Sequence, residues 1–228
     1  MRQRRKHNLD GQLERCKGYL LSTPPASSEN ALIAVEEKAY FDWEKVFGND
    51  RPVYLEIGCG KGSFAVEYVR RNPDKNLVAV ERNANIIVSA LMNAEDAKAT
   101  NLMFLHSPCE VLPRYFRPGT VQEIFLNFST PLPRTPYIRQ RLTHPRFLAL
   151  YKEMLTAGGK IRFKTDSKDF YEYTKDRLSE CGFDVLRAET DLYKSEELLA
   201  DNIQTEYERR FVNMGLPIYM IVAQKRKE

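Results

Sequence analysis

The stretch that decides the fold reads Tyr54-Leu-Glu-Ile-Gly-Cys-Gly-Lys-Gly-Ser-Phe64. It continues an apolar run, Val53 to Ile57, that is typical of a short buried strand. The run stops at Gly58, glycines recur at every second position up to Gly62, and a helical pattern begins near Ser63. Glycine has no Cβ, so the backbone can take positive φ and approach a ligand closely. The junction predicts a nucleotide-type cofactor pocket at the carboxyl end of a strand.

The spacing of the glycines restricts the cofactor. A dinucleotide site requires G-x-G-x-x-G, but the third position falls on Ser63, and a phosphate loop requires Ser or Thr after Lys61, where Gly62 stands. What remains is E-x-G-x-G-x-G, with Glu56 on the strand, and a carboxylate there can pair with a cationic ligand. A second acid, Glu81, ends the next apolar run about where a ribose-binding carboxylate stands in such folds.

This combination resembles the S-adenosylmethionine (SAM)-dependent methyltransferases. The alternative interpretation is a glycine-rich turn between a strand and a helix that binds no ligand.

Length and composition predict one medium-sized domain with an arm. The chain has 228 residues, a formal net charge of +4 and a pI near 8.8, which is compatible with an RNA partner. Its four cysteines are scattered without a C-x-x-C pair, so neither a disulfide framework nor a zinc site is expected. No apolar stretch reaches membrane-spanning length, and the basic amino terminus lacks the apolar region of a signal peptide. We therefore expect a cytoplasmic protein with reduced cysteines and no metal.

Residues 1–49 are predicted to form an amino-terminal arm and a helix ahead of the main domain, residues 50–228. The first seven residues, Met1 to His7, carry four Lys or Arg and are interpreted as a flexible arm able to contact phosphates, or equally as a solvated terminus. Glu29 to Phe47 has the apolar spacing of a helix.

Strands and helices alternate after residue 50, which predicts an α/β fold. We expect a doubly wound, Rossmann-like sheet that is mostly parallel, has an antiparallel strand near the carboxyl end and carries helices on both faces. The predicted strands are Val53–Ile57, Leu77–Glu81, Leu102–Leu105, Val121–Phe128, Lys160–Thr165, Phe183–Ala188 and Ile218–Ala223. The predicted helices run from Ser63 to before Asn72-Pro73, from Asn83 to Lys98, from Pro145 to Gly158-Gly159, and from Lys168 to Cys181.

Four further motifs follow the cofactor motif in a fixed order. They are Phe125-Leu-Asn-Phe-Ser129, a Pro-x-Pro-Arg134 loop, Phe163-Lys-Thr-Asp166 and Thr205-Glu-Tyr-Glu208. Together they resemble the bacterial tRNA (guanine-N7-)-methyltransferases over about residues 50 to 224, together with the basic arm. The resemblance implies an enzyme that transfers a methyl group from SAM to N7 of guanine 46 in the variable loop of tRNA. It also implies a tRNA partner, and the chain is expected to act as a monomer or homodimer.

The resemblance implies three sets of site residues. For the cofactor these are Glu56, Gly58, Cys59, Gly60, Glu81, Arg82, Pro108, Cys109 and Asn127. For the tRNA they are Arg134, Asp166, Thr205, Glu206, Tyr207 and Glu208. Thr130 and Asp166 are the implied catalytic positions, and no metal ligand is expected.

The chain departs from the family pattern at several of these positions. The family loop usually reads Asn-Phe-(Ser or Pro)-Asp-Pro-Trp-Pro-Lys, whereas here Thr130 replaces the aspartate assigned to catalysis and Leu132 replaces the tryptophan. Pro108 aligns with a further aspartate that usually contacts the adenosine end of SAM. The basic cluster behind the loop is reduced to Tyr137-Ile-Arg-Gln-Arg141.

The chemistry indicates what these departures cost. Guanine N7 already carries a lone pair, so no general base is essential, and in-line placement of N7, methyl and sulfur is the main demand. Methylation makes the base cationic, and losing a carboxylate that stabilises this charge costs about 2–4 kcal/mol. Thr130 therefore predicts a slow enzyme, with Asp166 able to take over part of the task. A relative that binds tRNA or SAM without efficient transfer, and a methyltransferase with another acceptor, stay open as alternatives.

Two further interpretations concern tRNA binding. Four basic residues could line a track for phosphates, or they could form only a solvated basic face: Arg134, Arg139, Arg141 and Arg146. Thr205 and Glu208 have the spacing of a helix capping box, which does not exclude a substrate role.

Overall fold

The structure is a computed structural model that describes residues 8–23 and 35–227. The basic segment predicted as an arm, residues 1–7, lies outside the described residues. So does the first part of the predicted helix, residues 29–34.

Within the described residues, seven strands form one sheet in the order β3-β2-β1-β4-β5-β7-β6. The strands are β1 Val53–Ile57, β2 Asn76–Glu81, β3 Leu102–His106, β4 Val121–Asn127, β5 Leu155–Thr165, β6 Phe183–Glu189 and β7 Tyr219–Lys225. Neighbours among β1 to β5 are parallel, and β7 is antiparallel to both β5 and β6. The predicted mostly parallel sheet with an antiparallel strand near the carboxyl end is confirmed.

Helices cover both faces of the sheet. They are α1 Leu9–Arg15, α2 Trp43–Phe47, α3 Ser63–Arg71, α4 Ala84–Asp96, α5 Pro145–Met154, α6 Lys168–Glu180, α7 Glu196–Ala200 and α8 Glu206–Asn213. Successive residues of β2 alternate between two buried cores, because side chains of a strand point to opposite faces. Leu77 belongs to the core under α3 and α4, while Val78 belongs to the core under α5 and α6.

The prediction of one continuous helix over Glu29–Phe47 is wrong in the part that is described. Residues 37–42 are not helical, and α2 alone covers the end of the segment. The amide of Ala39 donates to the carbonyl oxygen of Arg114 at 2.9 Å, and the amide of Phe41 donates to that of Tyr115 at 3.0 Å. These long-range bonds satisfy backbone groups that a helix would have paired locally.

The helix α5 also ends earlier than predicted. It stops at Met154, and β5 begins at once with Leu155, which pairs with Val121. Gly158 has a φ of 75° and lies where the register between β4 and β5 shifts. The two glycines therefore form a bulge within the strand instead of ending the helix.

Candidate active site

A pocket of about 390 Å³ opens at the carboxyl ends of β1 and β4, between the glycine loop and α8. Both cofactor and substrate residues implied by the sequence line it. The eight that do so are Glu56, Gly58, Cys59, Gly60, Asn127, Thr205, Glu206 and Tyr207. The tertiary structure thus brings together two groups of residues that are far apart in the chain.

The glycine loop holds its shape through backbone hydrogen bonds. The amides of Gly58 and Cys59 both donate to the carbonyl oxygen of Val80, at 2.8 and 3.0 Å. Gly60 has a φ of 57°, and a Cβ built on it would meet only open space, so its lack of a side chain keeps the cradle clear for a ligand. Gly62 serves a different purpose, because a Cβ there would lie 2.9 Å from that of Ala90 on α4.

Glu56 lies at the floor of the pocket and is 2% exposed. One carboxylate oxygen accepts from Nδ2 of Asn127 at 3.1 Å. Burial raises the pKa of Glu56 to about 7, against the opposing effects of Asn127 and Lys164, and the charge of Glu81 raises it further. The second oxygen of Glu56 and Oδ1 of Asn127 are buried with no hydrogen-bond partner in the protein. A ligand with an ammonium group would satisfy both acceptors, so these residues fit the amino-acid end of SAM.

Glu81 links the glycine loop to the next helix. Its carboxylate accepts from the amide of Gly60 at 3.3 Å and from that of Asn83 at 2.8 Å. The other predicted cofactor residues, Arg82, Pro108 and Cys109, follow β2 and β3 at the same edge of the sheet but do not line the pocket. Cys109 is buried in the core, with its Sγ 3.3 Å from the hydroxyl of Tyr151.

The segment 205–208 forms the opposite wall. Oγ1 of Thr205 accepts from the amide of Glu208 at 3.0 Å, and Glu208 accepts from the amide of Thr205 at 3.3 Å. The capping box predicted from the spacing is therefore present at the start of α8. Glu208 is fully buried and pairs with Nζ of Lys164 at 2.6 Å. It lies behind the pocket wall, whereas its neighbour Tyr207 is 49% exposed at the mouth.

Lys164 is the residue that sequence reasoning missed. It stands in the quoted Phe163–Asp166 motif, and burial lowers its pKa while Glu208 opposes that effect. The strand also carries Lys160 and Arg162, so its sequence contains no signal that Lys164 is buried and requires a partner.

Charged side chains of both signs lie near the mouth of the pocket. The carboxylate of Glu206 binds Nζ of Lys61 through both oxygens at 3.1 Å, which joins α8 to the glycine loop. Partial burial and then the charge of Asp166 raise the pKa of Tyr207, so Asp166 acts on the same ring. That ring packs against Phe128, with 5.3 Å between the centroids.

The loop after β4 carries Thr130 at an exposed position. Its backbone takes left-handed conformations at Phe128, with φ 52°, and at Leu132, with φ 42°. Nε of Arg141 donates to the carbonyl oxygen of Pro131 at 2.7 Å, and this buried guanidinium also lies 4.4 Å from the ring of Tyr173. Arg141 therefore holds the loop from inside.

This geometry corrects the predicted phosphate track. Arg141 is only 7% exposed and cannot belong to a surface track. Arg146 is engaged with Glu110 at 3.0 Å. Arg134 and Arg139 are exposed, and they remain the positions of that set from which a phosphate could be reached.

Neither a metal centre nor a membrane span is found in residues 8–23 and 35–227. No group of three or more His, Cys, Asp or Glu side chains in this part of the chain is arranged to hold a metal ion. None of its helices combines the length and apolar character needed to cross a bilayer.

Comparisons with known proteins identify methyltransferases as relatives of this chain. The model of a family described as putative methyltransferases matches residues 50–221. A tRNA (guanine-N(7)-)-methyltransferase of Bacillus subtilis (strain 168) is 39% identical over 194 residues, which cover 84% of this chain and 90% of the relative. A protein of the same name from Lachnoclostridium phytofermentans is 37% identical over 186 residues, covering 82% and 86% of the two chains.

Solved structures show the same fold. The 16S rRNA methyltransferase KamB superposes with a TM-score of 0.57 at 17% identity, covering 90% of this chain and 96% of that one. A SAM-dependent methyltransferase from Aquifex aeolicus gives a TM-score of 0.55 at 15% identity, covering 97% and 100%. At these identities the likeness concerns the architecture alone.

Proposed function

The chain belongs to the family of bacterial tRNA (guanine-N7-)-methyltransferases, and from this premise we propose how its pocket performs the reaction. It transfers a methyl group from SAM to N7 of a guanine in tRNA. We propose guanine 46 of the variable loop as the acceptor. The observation that carries the assignment is the pocket in which Glu56 and Asn127 face the start of α8.

The cofactor side is built for a cationic nucleoside. SAM supplies the methyl group on a sulfonium. Glu56 and Asn127 offer two unsatisfied buried acceptors for its amino group. The open space at Gly60 lets the cofactor lie close to the backbone of the glycine loop. Glu81 offers a carboxylate for the ribose hydroxyls. Arg82, Pro108 and Cys109 are proposed to border the adenine end.

The substrate side is built for a purine. Tyr207 presents a half-exposed ring on which the guanine can stack. N7 needs no deprotonation before it attacks, so these groups act by orienting the base. Asp166 is proposed to stabilise the positive charge that develops on the base, because Thr130 supplies none. Arg134 and Glu206 are proposed to contact the surrounding tRNA.

The test is transfer of label from radioactive SAM to bulk tRNA that lacks N7-methylguanosine. We expect label in tRNA, and its loss when guanine 46 of a transcript is replaced by adenine. Label at another guanine would overturn the assignment of position 46 alone. Absence of label from every tRNA while SAM remains bound, or label on a non-RNA acceptor, would contradict the function.

The setting of the reaction is also proposed. The enzyme is expected in the cytoplasm as a monomer or homodimer, with residues 50–228 forming the catalytic domain. The family match over residues 50–221 supports this division. Light scattering coupled to size-exclusion chromatography would determine the oligomeric state.

A further inference from the structure

Lys164 places a full positive charge inside the protein, where it is 2% exposed. Its ammonium group donates to three acceptors: Oδ1 of Asn202 at 3.0 Å, the carbonyl oxygen of Ile203 at 3.0 Å and Oε2 of Glu208 at 2.6 Å. Asn202 and Ile203 belong to the segment that leads into α8, and Glu208 lies in the first turn of that helix. Because an ammonium has three protons, these three acceptors use its entire donor capacity.

The same side chain contacts the cofactor half of the pocket. Nζ of Lys164 lies 5.8 Å from the ring centroid of Phe128, which follows β4, and 6.0 Å from that of Phe64 on α3. The carbonyl oxygen of Lys164 accepts from the amide of Phe128 at 2.9 Å. Lys164 is thus in contact with both walls of the pocket.

Glu208 connects Lys164 with the other residues at the start of α8. Its Oε1 accepts from the hydroxyl of Tyr193 at 3.0 Å and from Nδ2 of Asn202 at 2.8 Å, while Oε2 binds Lys164 and the amide of Thr205. The carboxylate has no exposed surface. Tyr207, the exposed ring at the pocket mouth, is the adjacent residue of the helix.

We infer that Lys164 is a positioning residue for the acceptor base, which acts through Glu208 to set the distance between Tyr207 and the cofactor strand. This inference rests on the proposed function of the pocket. Methyl transfer to N7 requires in-line geometry, and a displacement of about 1 Å can cost about 100-fold in rate. Glu56 and Asn127 bond to each other rather than to this network, and replacing Lys164 and Glu208 together removes one charge of each sign, so SAM binding is expected to be separable from tRNA turnover.

The central test replaces both members of the pair. Lys164→Met alone would leave a buried unpaired carboxylate and destabilise the fold, whereas Lys164→Met combined with Glu208→Met removes both charges at similar volume. We expect the double variant to fold, with a melting temperature lowered by the lost contacts of Glu208 to Tyr193, Asn202 and Thr205, and to bind SAM within about twofold of wild type. Its kcat/KM for tRNA should fall about 100-fold.

The matched control is the neighbouring pair that joins β5 to β4. Nε of Arg162, on the same strand as Lys164, binds Glu123 of β4 at 2.9 Å but makes no hydrogen bond to α8. Arg162→Met combined with Glu123→Met should keep kcat/KM within about twofold of wild type.

The outcomes distinguish a positioning role of Lys164 from a purely structural one. Normal tRNA turnover in the folded double variant would reduce the pair to a structural contact. If the wild type transfers no label, the proposed function fails, and tRNA affinity then decides the inference. A dissociation constant unchanged in the double variant would overturn it, whereas about a tenfold increase, absent from the control pair, would support it.

Discussion

Glu56 is a buried carboxylic acid that the protein pairs only in part. Inside the protein it receives one hydrogen bond from Asn127, and its second oxygen has none. Burial of an acid without a cation favours the neutral form, which is why its pKa rises to about 7. A cationic cofactor would reverse that preference. The residue is therefore poised to couple proton release to cofactor binding.

Glu56→Gln should weaken SAM affinity about tenfold or more, because a charged hydrogen bond to the ligand is lost while the side-chain shape is kept. Isothermal titration calorimetry measures the affinity. Glu123→Gln, a carboxamide substitution on the adjacent strand β4, is the control and should leave it unchanged. Equal affinities for Glu56→Gln and wild type would contradict the pocket assignment.

The pH dependence of SAM binding has a defined sign. Below about pH 7 the carboxyl of Glu56 is neutral in the free protein, so binding a cation must release a proton. Affinity should fall as the pH drops below that value, by up to about tenfold per pH unit, and level off above it. The raised pKa also means that the contribution of Glu56 to folding stability, present at low pH, is lost as the pH rises through 7. A titration series should show the slope in wild type and a flat profile in Glu56→Gln.

Thr130→Asp should increase kcat on tRNA. The substitution adds a negative charge at the position that the family resemblance assigns to catalysis, and a transition-state contact of this kind is worth about 2–4 kcal/mol. Thr130 is exposed, so the change is not expected to disturb packing. Single-turnover rates measure the effect, with the uncharged Thr130→Asn as control. Equal or slower transfer by the aspartate variant would show that the loop is organised around threonine.

At the scale of elements, the stability of α8 depends on the contacts of its first turn. The helix spans eight residues from Glu206 to Asn213, which is too short to be stable by itself. It is held by the capping box at Thr205 and by a small core in which Phe211 packs against Met220 and Val222 of β7 and their neighbours. Its position relative to β4 and β5 thus comes from tertiary contacts.

Thr205→Ala should cost about 1 kcal/mol of stability and also lower tRNA turnover, because the cap of the substrate-side helix is removed. Asp42→Ala removes the cap of α2, which lies outside the pocket, and should leave turnover unchanged. Thermal melts and steady-state kinetics on both variants check this. A loss of turnover shared equally by both would indicate a global effect of destabilisation.

At the scale of the whole molecule, the sheet brings the cofactor loop and the segment that forms the opposite pocket wall to the same edge. The parallel strands bring the cofactor loop to their carboxyl ends, and the segment between β6 and β7 folds back beside it. The formal net charge is only +4, so attraction to tRNA depends on where the positive charge lies. Four of the basic residues stand in the first seven positions.

Deleting residues 2–7 should weaken tRNA binding and reduce its dependence on salt, while SAM affinity stays unchanged. If all four cations contact phosphates, the slope of log K against log salt should decrease by up to about 3. Filter binding at several salt concentrations measures the slope. A variant with the four cations replaced by glutamine controls for chain length, and an unchanged slope in both would favour the solvated terminus.

Local patterns in the sequence by themselves determined the glycine loop and the approximate places of the strands, while the family and the cofactor came from the resemblance of the motifs to known methyltransferases. They could do so because buried parallel strands and tight glycine turns are specified by neighbouring residues. Patterns failed where a distant partner decides the outcome. Residues 37–42 leave the predicted helix to pair with residues 114–115, and Arg141 turns inward to hold a loop that contains Pro131.

The tertiary structure alone decided how the pocket is assembled. It buried Glu208 behind the wall, exposed Tyr207 in front of it, and joined Lys164 to a helix 44 positions away in the chain. Spacing along a chain cannot show such partners, since a buried charge is stabilised by whichever group the fold brings within hydrogen-bond distance.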